Sequence, residues 1–198
     1  MNRIVSQISG QTSGKEYWGP RFWYLLHMIS YSYPEKPTKR IQDTYYNYFL
    51  ITCQIIPCDD CRKHFSKSIE SKSLRFNLDN KQQVIDWFKS QHNDVNIVNG
   101  QRIYQGFEVD ALYLNSDFDH KKFIELVNYL LKLVKHGEIA PRLFLEWLLL
   151  SMKLFPCEKC RKITDSVLIH YDISKYDWRD YTVLEEWCQI LLHNINHN

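Results

Sequence analysis

Two short stretches of the chain are nearly identical: "PCDDCRK" at residues 57–63 and "PCEKCRK" at residues 156–162. They share the frame P-C-x-x-C-R-K, and a shift of 99 residues superimposes one on the other. A proline directly before the first cysteine is typical of the start of a helix, so we expect a helix to begin near Cys58 and another near Cys157. The frame therefore predicts that one structural unit occurs twice.

The similarity continues downstream of each cysteine pair. Trp87 follows Cys61 by 26 residues, and Trp187 follows Cys160 by 27 residues. Each tryptophan opens a segment that ends in His-Asn, "WFKSQHN" in the first half and "WCQILLHN" in the second. We interpret the chain as a tandem duplication of a four-helix unit.

Apolar residues recur at helical spacing in both halves, and prolines or glycines separate the segments. Asp79 or Asn80 can cap the fourth helix, and Asn99–Gly100 can end it. The sequence predicts an all-α fold with one bundle in residues 1–107 and a degenerate helical repeat in residues 108–198. The apolar positions on which this depends are Trp18, Phe22, Leu25 and Ile29, then Ile41, Tyr45, Phe49 and Cys53, and in the second half Phe123, Leu126, Leu130 and Val134.

Composition excludes several classes of protein. The chain has 198 residues, 44% of them hydrophobic, with only six glycines and six prolines, which favours long helices over a sandwich. A net charge of +2 without a basic block gives no reason to expect a nucleic acid partner. The first 18 residues contain no apolar run typical of a secretory signal, and no uninterrupted run of 18 apolar residues predicts membrane insertion.

The two C-x-x-C pairs allow three kinds of chemistry. Four thiolates could bind zinc, although zinc ribbons separate their pairs by about 15–20 residues and 95 residues intervene here. Alternatively, a cysteine at a helix N-terminus has a stabilised thiolate and can act as half of a redox dithiol. A structural disulfide is the third alternative.

Two predicted helices of the first half carry matching polar and aromatic stripes. Gly19, Trp23, His27 and Tyr31 lie on one row of the first helix, at intervals of four residues. On the fourth helix, His92 and Asn96 lie one turn apart with Asn93 beside them. Flat rings, imidazoles, amides and a glycine that allows close approach predict a pocket for a planar cofactor between helices.

Three segments together resemble a known family. "WGPRFWYLLHMISYSYP", "PCDDCRKHF" and "WFKSQHNDVN" are similar, in order and spacing, to the FAD-linked sulfhydryl oxidases of the Erv/ALR type, especially their short viral members. The resemblance covers about Trp18 to Tyr104. It departs from many relatives at Lys89, near which those relatives have a cysteine of a further structural disulfide.

The resemblance implies a four-helix bundle that binds FAD and oxidises protein thiols. Cys58 would exchange with the substrate, Cys61 would pass electrons to the flavin, and O2 would accept them as hydrogen peroxide. The cofactor-binding residues implied in this way are Gly19, Trp23, His27, Tyr31, His92, Asn93, Asn96, Arg102 and Tyr104. We assign no metal ligand. The alternative function is a non-enzymatic helical adaptor with structural C-x-x-C disulfides or zinc.

The second half lacks the segments that a flavin would need, so we expect no second FAD. Family members commonly dimerise through these bundles, and the second half is therefore expected to replace a partner subunit as a pseudo-dimer. Cys157 and Cys160 are either a relay to Cys58 or a retained, non-catalytic disulfide. Cys53 is expected to be a buried thiol, and Cys188 a core residue or free thiol. By resemblance we expect host cytoplasm and virion, or alternatively the mitochondrial intermembrane space.

Overall fold

A computed structural model of the chain describes residues 14–196, and within this range all regular structure is helical. The predicted all-α fold is confirmed. Most of the N-terminal stretch in which we predict no secretory signal, residues 1–13, lies outside the described residues. Between residues 14 and 196, no helix combines the length and the apolar character needed to cross a bilayer.

The helices fall into two units of four with one short helix between them. The first unit comprises α1 (Lys15–Tyr31), α2 (Lys39–Ile55), α3 (Asp59–Ser71) and α4 (Lys81–Val98), and α5 (Gly106–Tyr113) follows it. The second unit comprises α6 (His120–Lys135), α7 (Pro141–Lys153), α8 (Glu158–His170) and α9 (Tyr181–Asn196).

Several helix ends lie where local sequence signals predict them. The Asn80 side chain accepts a hydrogen bond from the Gln83 N–H at 3.0 Å, which caps α4. The same helix ends at Asn99, and Gly100 then adopts a φ of +65°, a backbone conformation that glycine adopts at low cost. α3 begins directly after Cys58, as its proline predicts.

Corresponding helices of the two units pack against each other. α1 contacts α6 and α2 contacts α7, whereas α4 and α9 pack on α1 and α6 within their own units. We call the surface where the two units meet the seam. Trp147 of α7 is fully buried there, and its ring centroid lies 5.9 Å from that of Phe22 in α1 and 6.5 Å from that of Phe123 in α6. Buried side chains of both units form one continuous hydrophobic cluster among the described residues.

Helix α5 is a feature that the sequence analysis did not predict. It begins at Gly106, crosses the expected domain boundary at residue 107, and packs on α1 and α4. The Glu108 carboxylate accepts a hydrogen bond from the Gln105 N–H at 2.8 Å, which satisfies a free donor at the helix start. α5 therefore belongs structurally with the first unit.

Candidate active site

The first cysteine pair lies at the N-terminus of α3. Cys58 is the N-cap residue and is joined to Cys61 by a disulfide, with 5.2 Å between the Cα atoms. The Cys58 Sγ accepts a hydrogen bond from the Cys61 N–H at 3.2 Å. When the disulfide is reduced, this donor and the positive end of the helix favour a thiolate at Cys58.

The second pair has the same local geometry. Cys157 caps α8, is joined to Cys160 by a disulfide, and accepts a hydrogen bond from the Cys160 N–H at 3.1 Å. The arginine of the shared frame has a structural role that the sequence analysis missed. Arg62 donates to the Ile56 carbonyl at 2.8 Å, and Arg161 donates to the Phe155 carbonyl, so each arginine fixes the chain that enters its helix.

Two adjoining cavities lie in the first unit, and the smaller one borders the first pair. The smaller, of about 250 Å³, is largely apolar and is bordered by Cys61, whereas the larger, of about 560 Å³, lies between α1, α4 and α5. Gly19 and Trp23 border both cavities. Gly19 is buried, yet a Cβ added there would meet only the Lys15 side chain, at 3.9 Å. The missing side chain thus leaves room at the junction of the two cavities.

Aromatic and imidazole rings form one wall of the larger cavity. The Trp23 and His92 rings are stacked, with centroids 4.2 Å apart and an interplanar angle of 4°. His27 Nε2 and His92 Nδ1 share a hydrogen bond at 2.9 Å, and the His27 ring stacks on Tyr113 at 4.7 Å. The predicted rings are therefore brought together, and they contact one another as well as the cavity.

Burial keeps both imidazoles neutral near pH 7. The pKa of His27 is lowered to about 3, mainly by loss of solvation and in smaller part by the neighbouring His92 and Lys89. Loss of solvation also lowers the pKa of His92 to about 4. The buried His27 Nδ1 has no hydrogen-bond partner among the described residues, so one polar atom at this wall is left for a ligand or water.

The predicted asparagines hold the backbone that closes the cavity. The Asn93 amide donates to the Tyr104 carbonyl at 2.8 Å and accepts from the Tyr104 N–H at 3.0 Å. Asn96 donates to the Arg102 carbonyl at 3.1 Å. The segment after α4 is thereby tied to that helix, and Tyr104 reaches the cavity wall.

Seven of the nine predicted cofactor-binding residues border the larger cavity, and two do not. Tyr31 lies at the far end of its row and donates to Asp110 at 2.5 Å, and Asp110 also pairs with Lys89 at 2.6 Å. Arg102 is exposed and pairs with Glu108. The seven residues are Gly19, Trp23, His27, His92, Asn93, Asn96 and Tyr104.

Other residues of the wall were missed. α5 contributes Val109, Leu112 and Tyr113, whose spacing of three and four residues is a helical signal that could have identified them. Lys89 reaches the cavity from α4, and Lys15 reaches it from the first turn of α1. Lysines at a cavity wall provide positive charge for an anionic ligand.

The four paired cysteines are joined as two separate disulfides. Each pair is closed as its own disulfide, so none of the four sulfurs is a free thiolate ligand. Across residues 14–196, one group of three potential ligand atoms lies within 4.8 Å, that of His120, Cys157 and Cys160, and its two sulfurs are bonded to each other. Cys53 and Cys188 are free and buried, as predicted for Cys53, and burial raises the pKa of each thiol to about 12.

Comparison with known proteins identifies the family. A sequence model of the Erv1 / Alr family matches residues 20–113. A putative FAD-linked sulfhydryl oxidase, 347L, of Invertebrate iridescent virus 6 is 31% identical over 84 residues, which is 40% of this chain and 76% of that protein. This chain belongs to the Erv1 / Alr family.

Other members of the Erv1 / Alr family match the same half. FAD-linked sulfhydryl oxidase ERV1 of Arabidopsis thaliana is 27% identical over 107 residues, or 54% of this chain and 55% of that protein. Mitochondrial FAD-linked sulfhydryl oxidase ERV1 of Saccharomyces cerevisiae is 31% identical over 78 residues, which is 39% of this chain and 40% of that protein. The match thus spans about half the length of these two relatives.

The fold of the Erv1 / Alr family is also found in the structural comparison. The crystal structure of the yeast Erv1 core is similar with a TM-score of 0.50 and 22% identity, over 59% of this chain and 100% of that chain. The matched part of the family is therefore the helical core, which in this chain contains the cavity and Cys58–Cys61.

Proposed function

We propose that this chain is an FAD-dependent thiol oxidase that forms disulfide bonds in protein substrates and passes the electrons to O2, giving hydrogen peroxide. The observation that carries the proposal is the position of Cys61. It borders the smaller cavity, which adjoins the ligand-sized larger cavity at Gly19 and Trp23. Because the relatives are named FAD-linked sulfhydryl oxidases, we propose FAD as the ligand.

The residues of the larger cavity suit a flavin nucleotide. Its volume of about 560 Å³ lies in the usual range for ligand sites, roughly 300–1,000 Å³. Trp23 and Tyr113 offer flat apolar surface, and the unpartnered His27 Nδ1 offers a polar contact. Lys15 offers charge for a phosphate group, whereas Lys89 is already paired with Asp110. For Tyr31 and Arg102, contact with the cofactor stays a prediction.

The chain's own residues then have distinct roles. A substrate thiolate attacks Cys58, which forms a mixed disulfide while Cys61 leaves as a thiolate; a second substrate thiol resolves the mixed disulfide. The Cys61 N–H stabilises the Cys58 thiolate that remains. Bound FAD would supply two-electron acceptor chemistry and the onward transfer to O2.

Two measurements test this proposal. Purified protein should absorb at about 450 nm, as flavins do, and should consume oxygen when dithiothreitol is added. Cys58→Ser and Cys61→Ser should abolish oxygen consumption but retain bound flavin. Cys53→Ala removes a buried thiol outside the site and serves as the matched control with unchanged activity. A colourless protein that consumes no oxygen would instead support a helical adaptor.

We also propose that the second unit takes the place of a partner subunit. The packing of corresponding helices, α1 on α6 and α2 on α7, supports this arrangement because a two-fold dimer pairs equivalent surfaces. Sedimentation should then give a monomer of about 24 kDa, consistent with the chain mass of 23.9 kDa. A stable homodimer that leaves the second unit exposed would contradict this proposal.

The compartment is proposed from relatives alone. They include a mitochondrial protein and proteins of viruses. We propose host cytoplasm and virion, with the mitochondrial intermembrane space as the alternative. Antibody labelling of cell fractions and purified particles would distinguish them.

A further inference from the structure

The second cysteine pair has a histidine of its own. His120 Nε2 lies 2.9 Å from Cys160 Sγ, and His120 is the first residue of α6, whereas Cys160 lies in the first turn of α8. Cys160 is buried with 2% of its surface exposed, whereas Cys157 is partly exposed at the helix cap. The pair therefore has one accessible sulfur and one buried sulfur in contact with an imidazole.

A comparison of the two units shows that this contact has no equivalent in the first. Gly19 and Cys61 both border the smaller cavity of the first unit. In the first unit the glycine leaves a space beside Cys61. In the second unit the His120 imidazole contacts the Cys160 sulfur.

We propose that Cys157–Cys160 is a second thiol–disulfide exchange site, assisted by His120, that accepts electrons from protein thiols. The inference does not depend on the proposed flavin site. An imidazole next to a cysteine sulfur stabilises the thiolate and can transfer a proton to it, and a more stable thiolate is a better leaving group. A disulfide that served only as a covalent staple would need no such group.

The exchange reaction oxidises two substrate thiols and reduces the Cys157–Cys160 disulfide. A substrate thiolate attacks Cys157 Sγ, the Cys157–Cys160 bond breaks, and Cys160 leaves with the electron pair, beside His120. A second substrate thiol then displaces Cys157. The substrate loses two electrons and two protons in forming its disulfide, and Cys157 and Cys160 gain them as thiols. Another protein disulfide reoxidises the pair by the same exchange, for which the Cys58–Cys61 disulfide of a second copy is one candidate.

The first experiment isolates the second pair in the full chain. The Cys58→Ser/Cys61→Ser parent retains four of the six cysteines: Cys157, Cys160 and the two free thiols Cys53 and Cys188. Alkylation under denaturing conditions therefore adds two groups when the Cys157–Cys160 disulfide is closed and four when it is reduced. Mass spectrometry counts the added groups. The protein is incubated in glutathione buffers of defined ratio. We expect reversible reduction, and we expect His120→Phe and His120→Gln to slow reduction about tenfold and shift the equilibrium about tenfold toward the disulfide, or about 30 mV.

The controls separate this chemistry from a loss of folding. His170→Gln removes an exposed histidine at the other end of α8 and should leave rate and equilibrium unchanged. Melting curves of the oxidised proteins show whether each variant is folded, and two different replacements at His120 provide a second chance of a folded protein. His120 variants that match His170→Gln in both rate and equilibrium would overturn the proposal. So would a disulfide that glutathione cannot reduce in the folded protein.

The second experiment tests which sulfur is attacked. In the same parent, Cys160→Ser should form a one-to-one mixed disulfide with oxidised glutathione at Cys157. Cys157→Ser should leave the buried Cys160 unmodified over the same time. Modification of Cys160 in preference to Cys157 would contradict the proposed direction of exchange.

Discussion

At the scale of single residues, burial decides what the histidines of the candidate site can do. His27 is 1% exposed, and its pKa is lowered to about 3 chiefly because a buried imidazolium would lose its solvation. The imidazole therefore stays neutral in the native protein through the range in which an unfolded chain would protonate it. A ring of this kind can bind a planar ligand without contributing charge.

The same shift makes stability depend on pH. Between about pH 6.5 and pH 3 the unfolded chain binds a proton at residue 27 that the native chain does not, so the free energy of unfolding falls as pH is lowered. His27 contributes up to about 1.4 kcal/mol per pH unit in this window. His27→Gln should give a correspondingly smaller slope in urea unfolding at pH 7, 6 and 5.

His170→Gln is the matched control, because that histidine is exposed. The free energy of unfolding of the His170→Gln variant should change with pH as that of the unmodified chain does. Identical slopes for His27→Gln and the unmodified chain would contradict the account of a buried neutral imidazole.

At the scale of elements, α5 closes the larger cavity through a small polar network. Lys89 of α4 pairs with Asp110 of α5 at 2.6 Å, and Tyr31 of α1 donates to the same carboxylate at 2.5 Å. Burial acts to raise the pKa of Asp110, but the hydrogen bonds from Lys89 and Tyr31 outweigh it and lower that pKa. The ion pair of Lys89 with Asp110 thus connects α4 and α5.

Lys89→Met should loosen α5 without unfolding the rest of the chain. Because the Asp110 side chain is 40% exposed, solvent screens the pair, and we expect a loss of about 1 kcal/mol. Amide hydrogen exchange in Gly106–Tyr113 should become roughly fivefold faster. Lys122→Met, which removes an exposed ion pair with Asp119 at the start of α6, is the control. Unchanged exchange in α5 would show that the ion pair does not hold this helix.

At the scale of the whole molecule, the two units share one core. Trp147 is fully buried between Phe22 and Phe123, and the hydrophobic cluster continues across both units of the described chain. If one unit unfolded, the other would therefore lose the apolar contacts that it makes across the seam. We expect the units to unfold as one cooperative body.

Trp147→Ala should lower the free energy of unfolding by roughly 3–5 kcal/mol, because it leaves a large cavity at the seam. Trp147→Phe retains a ring and should cost less. Circular dichroism and tryptophan fluorescence should report a single, coincident transition in urea for both variants. Trp178→Ala, at a partly exposed site, is the control with a small effect. Two separated transitions would show that the units are independent.

The sequence by itself determined the helical fold and the two cysteine pairs. These properties depend on local spacing, since apolar periodicity, capping by Asn80 and a cysteine after a proline act within a few residues. The facing stripes of α1 and α4 also identified most of the cavity wall, because helical periodicity fixes which side chains share a face.

Only the tertiary structure decided which groups meet across the chain. The contact of His120 with Cys160, the tie between Lys89 and Asp110, and the seam at Trp147 each join residues from different helices. No local pattern specifies these distances, because they depend on how whole helices pack. The two similar cysteine pairs thus have similar local geometry, while a cavity lies beside one and an imidazole beside the other.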